Sequence, residues 1–386
     1  MSSSPLAILS TRAIGKVGLV LSVFLVSCSQ LISLPLDKVA MLGVIVMLLF
    51  HQVVQNTPLS KNLLFPIIGF AAYCFLPFLL NLPDSSLIIF FPVIGLFFAG
   101  LVSSHKEFLT IVYWALFIHI VLGIVLVFSS YLIGMNSYVH QMYDKGLPFL
   151  HAAKGFTTTV QSYGTLLISW FLIYYWKKEN GQNGKLDSIA FCVVILGLIL
   201  TFNRNTVVIF YLILFFKHRK IFVFTVVCAV LFYLYYFEFI NKLLFNVSTI
   251  SSRADLLQAF RISFFDHSGW MHYLFGHGNN IVGDVIARTT KYRTGYIENG
   301  TSVLVYTYGF IGYIAYLIAV MLVSVMLFVR NKIFYAAMFF YIFIIAQQFT
   351  HEFYATTLYL MISIFLIILY SKSPGEAKNN IFSSTE

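Results

Sequence analysis

The sequence predicts an all-α integral membrane protein, a single bundle of about twelve transmembrane helices, and three observations predict it. Hydrophobic residues make up 60% of the 386 and charged residues only 10%, against about 25% charged in soluble domains. Apolar runs of roughly 20 residues, the length that crosses a hydrocarbon core, recur along the whole chain. Those runs do not alternate polar with apolar, as the strands of a membrane β-barrel do. Helices satisfy their backbone polar groups internally, which lipid demands. The net charge of +10 sits in short loops between the runs. It therefore reads as an orientation signal and not as a nucleic-acid footprint.

Taken in order, the spans fall at about 17–34, 39–55, 63–80, 86–102, 109–133, 159–176, 187–203, 205–216, 221–240, 300–328, 333–349 and 353–370. The first could be mistaken for a lipoprotein signal, since Arg12 and Lys16 precede a short apolar run ending at Cys28. The run continues through Leu34 and further spans follow, so it is taken as a transmembrane helix. Cys28, Cys74, Cys192 and Cys228 all fall inside apolar runs without metal or redox spacing, which makes them packing residues.

An even number of crossings returns both termini to one side. With that side cytoplasmic, the inner segments hold Arg12, Lys16, Lys61, Lys106, Lys177, Lys178, Lys185, Lys217, Arg219, Lys220, Arg330, Lys332, Lys372 and Lys378, 14 of 24 basic residues. Among short outer loops only Lys38 and Arg204 are basic. The positive-inside rule thus orients the chain. Residues 1–386 form one polytopic domain with a first outer loop at 134–158, a large outer loop at 241–299, and a polar cytoplasmic tail at 371–386.

The seventh and eighth spans are too short for two full crossings. Between Lys185 and Lys217 lie 31 residues, where two spans need about 40. The hairpin apex, Phe202-Asn203-Arg204-Asn205-Thr206, is therefore expected below the outer surface. There Arg204 either snorkels to headgroups or faces a wet cavity or an anion.

The large outer loop carries the remaining chemistry. Ser252-Arg253-Ala254-Asp255 fits a helix start, with Ser252 capping and Asp255 in the first turn, which would put Arg253 at an anion-favouring helix end. Gly276-His277-Gly278 reads as a tight turn, with His277 either structural or catalytic. Arg288, Lys291 and Arg293 form a basic run on the face where basic residues are scarce, suited to a polyanionic ligand. Glu298 then enters the membrane surface beside Asn299, as a general base or as a partner of the arginines. His351-Glu352 closes the eleventh span on the same face and could join this site. Tyr143, Trp270, Tyr273 and Tyr296 are either sugar-stacking or interfacial aromatics. No metal-ligand spacing and no phosphate-binding loop occurs, so no metal or cofactor is expected.

These features, in this order, resemble the O-antigen polymerase (Wzy) and O-antigen ligase superfamily of bacterial polysaccharide assembly. The resemblance rests on the polar hairpin Thr201 to Thr206, the loop opening at Ser252-Arg253, the turn Leu274 to Gly278, and Glu298-Asn299 leading into Tyr308-Gly309-Phe310-Ile311-Gly312. Lys154-Gly155-Phe156-Thr157 to Gly164 is loosely similar to the family's stretch before its middle span, with Lys154 where the family has arginine. Ligases carry a histidine where this chain has Glu298, which favours polymerase over ligase.

The resemblance implies a GT-C-like bundle in the bacterial inner membrane acting on undecaprenyl-diphosphate-linked glycan as donor and acceptor, with a chain-length regulator as possible partner. The implied reaction is metal-independent, inverting glycosyl transfer with the lipid diphosphate as leaving group. On this reading Arg204 and Arg253, with Arg288, grip the diphosphate and Glu298 serves as base. Arg293, Lys154, His277 and Tyr296 complete the substrate-binding set. The alternatives are O-antigen ligase and, in a different class, a lipid-linked oligosaccharide flippase.

Overall fold

The computed structural model describes residues 17–31, 35–54, 61–82, 84–105, 107–143, 147–244, 247–266, 268–279 and 299–371. It is mostly helical, as an apolar chain in lipid must be. The elements run α1 Val17–Val26, α2 Leu36–Val54, α3 Lys61–Leu80, α4 Phe91–Ser103, α5 Phe108–Ile133, strands β1 Val139–Met142 and β2 Leu147–Ala153, then α6 Val160–Glu179, α7 Lys185–Ile199, α8 Arg204–Lys217 and α9 Arg219–Tyr235. After these come α10 Phe237–Leu244, α11 Val247–Arg261, α12 Trp270–Phe275, α13 Gly300–Val329, α14 Ile333–Phe340 and α15 Thr356–Tyr370. A helix occupies each predicted span. Three of them, α2, α5 and α13, are long and apolar enough to cross a membrane by length and composition.

The first outer loop is not all coil. β1 and β2 pair antiparallel, Val139 with Ala153 and His140 with Ala152, and the register slips between Gln141 and Met142. The short Val139–Met142 run was missed because four residues give too little alternation to register as a strand.

The core is built on α6 and α15, each buried on nearly every face. A helix apolar all round belongs in the interior, and within α6 Trp170 stacks on Tyr113 at 4.9 Å and on Tyr174 at 5.4 Å. By contrast α9 buries no residue although it is strongly apolar, the surface of a helix that faces lipid.

The two ends of the bundle differ chemically. At one end four basic residues are tied down. Lys177 pairs with Asp187 at 2.9 Å, Lys217 pairs with Glu179, Arg330 donates to Leu369 O at 2.7 Å, and Lys332 donates to Ser371 O at 2.6 Å. The last two bonds satisfy carbonyls at the C-terminus of α15, which have no partner within the helix. The opposite end carries the β-hairpin, the α7–α8 turn, the Gly276 turn and the segment between α14 and α15.

At this second end α13 is broken. Gly309 adopts φ +66° and ψ −174°, a conformation open essentially to glycine, and the turn at Gly276 (φ +81°) fits into the gap. His277 N donates to Tyr306 O at 2.7 Å and Gly278 N to Thr307 O at 3.1 Å. Tyr73 Oη donates to Tyr308 O. The Tyr306, Thr307 and Tyr308 carbonyls at the break thus have partners, as buried backbone requires. A Cβ on Gly276 would lie 2.4 Å from Thr307 O, so the clasp depends on glycine.

Candidate functional site

The candidate site forms where three helix ends meet. The first is the start of α6. Thr159 caps it, its hydroxyl accepting from Ser162 N at 3.1 Å, and this leaves Gln161 and Thr165, one turn apart, on a common face.

The second is the start of α8, where Asn203 caps by accepting from Asn205 N at 2.9 Å. The first-turn N–H groups of a helix lack intrahelical partners and carry the positive end of its dipole. Arg204, the first residue of α8, is half-buried beside this end. The two helices touch at Gly164, where a Cβ would stand 2.1 Å from Thr206 Oγ1.

The third is the end of the α14 rod, which unwinds through a π-turn at Tyr341–Ile345 and a 3₁₀ turn at Ala346–Gln348. The chain then passes Thr350 and Glu352 before α15 begins. Polar side chains are tolerated here because the irregular backbone lines a cavity and not lipid.

Between these ends lies a narrow cleft of about 30 Å³, walled by Gln161 and Thr165 of α6, Asn203 and Thr206 of the hairpin, and Gln347 and Glu352. It has room for one or two water molecules. Glu352 is only 7% exposed. Thr165 Oγ1 donates to its Oε2 at 2.6 Å, while Oε1, like Gln347 Oε1, is buried with no partner among the described residues. Burial pushes the Glu352 carboxyl up to about 7, against the opposing bond of Thr165 and the influence of nearby Ser162. A buried carboxyl that exchanges its proton near neutrality is equipped for general acid–base work.

A second, larger cavity of about 380 Å³ opens on the other side of α6's first turn. It is lined by Ser29, Asp37, Thr158, Ser162, His351 and Tyr354 among others. His351 and Glu352, adjacent in sequence, therefore face different cavities. Burial lowers the His351 imidazole to about 4, so it stays neutral at pH 7.

The sequence-predicted residues are distributed unevenly about this centre. Arg204 does not itself line the cleft; its chain neighbours Asn203 and Asn205 do. Lys154 lies between β2 and α6 and donates to Gln30 Oε1 at 2.9 Å, next to cavity-lining Ser29; burial lowers its ammonium. His277 lines neither cavity. Its ring stacks between Tyr306 at 4.4 Å and His272 at 4.5 Å, and its Nε2 bonds Ser268 Oγ at 2.7 Å. Burial and the neighbouring His272 hold it near 4.

Arg253 requires a correction: α11 begins at Val247, so Arg253 sits mid-helix and Ser252 is not its cap. The serines and β-branched residues ahead of it continue the helix instead of starting it, and the helix-terminus argument for anion binding there falls. Its side chain lies outside the described residues, as do Arg288, Arg293, Tyr296 and Glu298 in full. Asn299, next to Glu298 in the chain, caps α13 by accepting from Ser302 N at 2.8 Å and donates to Gln348 O at 2.6 Å. Of the stacking candidates, Tyr143 and Trp270 are exposed, and Tyr273 donates to Phe265 O at 2.6 Å.

Sequence reasoning passed over Asp37, Gln161, Thr165 and Gln347. A signal was present, because polar groups inside or at the edge of apolar spans are costly unless they serve a cavity or each other.

Comparison of the chain with protein-family models, with curated proteins and with solved structures returns no match.

Proposed function

We propose that this chain is a membrane glycosyltransferase that polymerises undecaprenyl-diphosphate-linked oligosaccharide repeats at the outer face of a bacterial inner membrane. On this reading the twelve helical segments all cross, in a GT-C-like arrangement, and both termini are cytoplasmic. The observation that carries the proposal is the buried Glu352 carboxyl, poised near neutral pH and facing the dipole-positive start of α8 beside Arg204.

The roles follow from charge and burial. Arg204 and the α8 N-terminus attract the diphosphate and stabilise the charge that develops as it leaves. Glu352 takes the proton of the attacking sugar hydroxyl, a role first expected of Glu298. Attack opposite the leaving diphosphate inverts the anomeric centre. Holding the donor and acceptor sugars in register supplies much of the rate.

The test is deletion of the gene in its host, followed by complementation and electrophoresis of the surface polysaccharide. Deletion should collapse the ladder to core plus one repeat. The wild-type chain should restore it, and Arg204→Ala and Glu352→Gln, at normal protein levels, should not. Near-normal ladders in both variants would defeat the assignment. Long chains stranded on the lipid carrier after deletion would indicate a ligase instead.

One observation favours a second reading. A buried, proton-exchanging carboxyl beside an interrupted helix is also a transporter's coupling device. A flippase would leave single repeats trapped in the cytoplasmic leaflet of the deletion strain.

A further inference from the structure

Two cavities flank the first turn of α6, and they differ in kind. The cleft on the Glu352 side holds no more than water. The cavity on the far side, about 380 Å³, falls in the size range of ligand pockets, about 300–1,000 Å³, and its lining is unusual for such pockets, which are mostly apolar. Apart from the Tyr354 ring, only Pro35 and Ala355 are apolar. Hydroxyls from Ser29, Thr158, Thr159 and Ser162 supply rotatable groups that both donate and accept. The Ser29 hydroxyl already accepts from Thr158 N at 3.0 Å, which leaves its own proton to donate.

The charges narrow the ligand further. One carboxylate, Asp37, and one ammonium, Lys38, line the cavity, and neutral His351 adds nothing to the sum. Asp37 is 3% exposed, and a buried carboxylate repels a phosphate or diphosphate. The lining suits a neutral ligand dense in hydroxyls. His351 Nδ1 is buried without a partner among the described residues, a polar atom left for such a ligand to satisfy.

We propose that this cavity, floored by Asp37 and walled by Ser29, Thr158, Ser162 and His351, is the seat of the acceptor glycan's terminal sugar. The assignment rests on the polymerase reading and adds to it where the second substrate binds. It separates the substrates by chemistry, the anionic diphosphate at Arg204 and the neutral sugar on the opposite side of α6's first turn. Ser162 lies between the two, since it lines the cavity and directly follows cleft-lining Gln161 in the first turn of α6.

The transfer step then balances. The acceptor oxygen bonds the donor's anomeric carbon, the bond from that carbon to the lipid diphosphate breaks, and its electron pair leaves on the diphosphate. The acceptor's proton ends on Glu352, the base of the polymerase reading.

The test uses the full chain in lipid nanodiscs and two probes, free repeat-unit oligosaccharide released from the host's surface glycan by mild acid, and undecaprenyl diphosphate. Saturation-transfer NMR should show the oligosaccharide bound by wild type and equally by Glu352→Gln. Thr158→Trp, which fills the cavity, and Asp37→Asn should each weaken oligosaccharide binding at least tenfold and leave undecaprenyl diphosphate binding within twofold. Thr158→Val removes a single hydroxyl with little risk to folding and should weaken the oligosaccharide several-fold. Unchanged oligosaccharide binding in Thr158→Trp and Thr158→Val, or displacement of the oligosaccharide by undecaprenyl diphosphate, overturns the assignment.

Complementation separates the two levels. If wild type restores the ladder and Thr158→Trp restores it equally well, the acceptor seat is wrong and the polymerase stands. If deletion and wild-type complementation leave the ladder unchanged, the polymerase reading falls, and the acceptor seat falls with it.

Discussion

Replacing Glu352 by glutamine should make the protein more stable at neutral pH while stopping its chemistry. The folded carboxyl keeps its proton up to about 7, whereas an unperturbed one releases it near 4.5. Between those values the unfolded chain has lost a proton that the folded chain retains, so folding weakens as pH rises. The effect is absent below 4.5 and complete above about 7. The gap from 4.5 to 7, at about 1.36 kcal/mol per pH unit, comes to about 3 kcal/mol.

Glutamine preserves the shape, can still accept from Thr165, and never ionises. Glu352→Gln and wild type should therefore be nearly equal in stability at pH 4, and the variant should gain about 3 kcal/mol by pH 8. The assay is denaturant unfolding of the purified chain in detergent at several pH values, reported as the difference between the two proteins. Taking the difference matters because His277 and His351, both held near 4, make the fold more stable as pH rises through the opposite sign of the same linkage. Chain extension should fall about 10²–10⁴-fold with loss of the base. A pH-independent difference, or a variant less stable than wild type at pH 8, would refute the reasoning.

Three other perturbations probe the frame around the site. Gly164→Ala drives a Cβ to 2.1 Å from Thr206 Oγ1 and should cost about 1–3 kcal/mol; adding Thr206→Ala should recover part of it, measured by a double-mutant cycle of unfolding free energies. Gly309→Ala imposes a side chain at φ +66° against Leu274 O at 2.3 Å and should lower stability by at least about 1–3 kcal/mol, read as a drop in denaturation midpoint and faster proteolysis of the 268–279 segment. His277→Gln should reduce the gain in stability between pH 4 and 6.5, because the unfolded imidazole binds a proton there that the folded one refuses, and should leave chain extension per folded molecule within about threefold of wild type, a number set by removal of packing and not of a catalytic group.

Much of the frame was legible because lipid imposes one rule along the whole chain. Every predicted span holds a helix, and the shortness of the α7–α8 pair followed from counting the residues between Lys185 and Lys217. The cap at Asn203 emerged only with the structure. Arg253 was misplaced because Ser252 and Asp255 imitate a capping sequence, and nothing local shows that Val247 to Ser251 are already helical. His277 was legible as a turn residue, but its role depended on a gap in α13 more than thirty residues downstream.

The amino-acid sequence by itself determined that this is an apolar helical bundle whose basic residues divide its two ends, because hydrophobicity and charge are properties of residues taken one at a time. It also marked Arg204 as an arginine at the apex of a hairpin with fewer residues than two full crossings need. Only the tertiary structure decided that Glu352, from the unwound end of α14, meets Thr165 of α6 and the start of α8, or that Asp37 and His351 share a cavity. Those juxtapositions arise from packing between segments separated by 187 residues in the case of Thr165 and Glu352. No local pattern encodes a carboxyl's burial, and burial is what brings its proton to neutral pH.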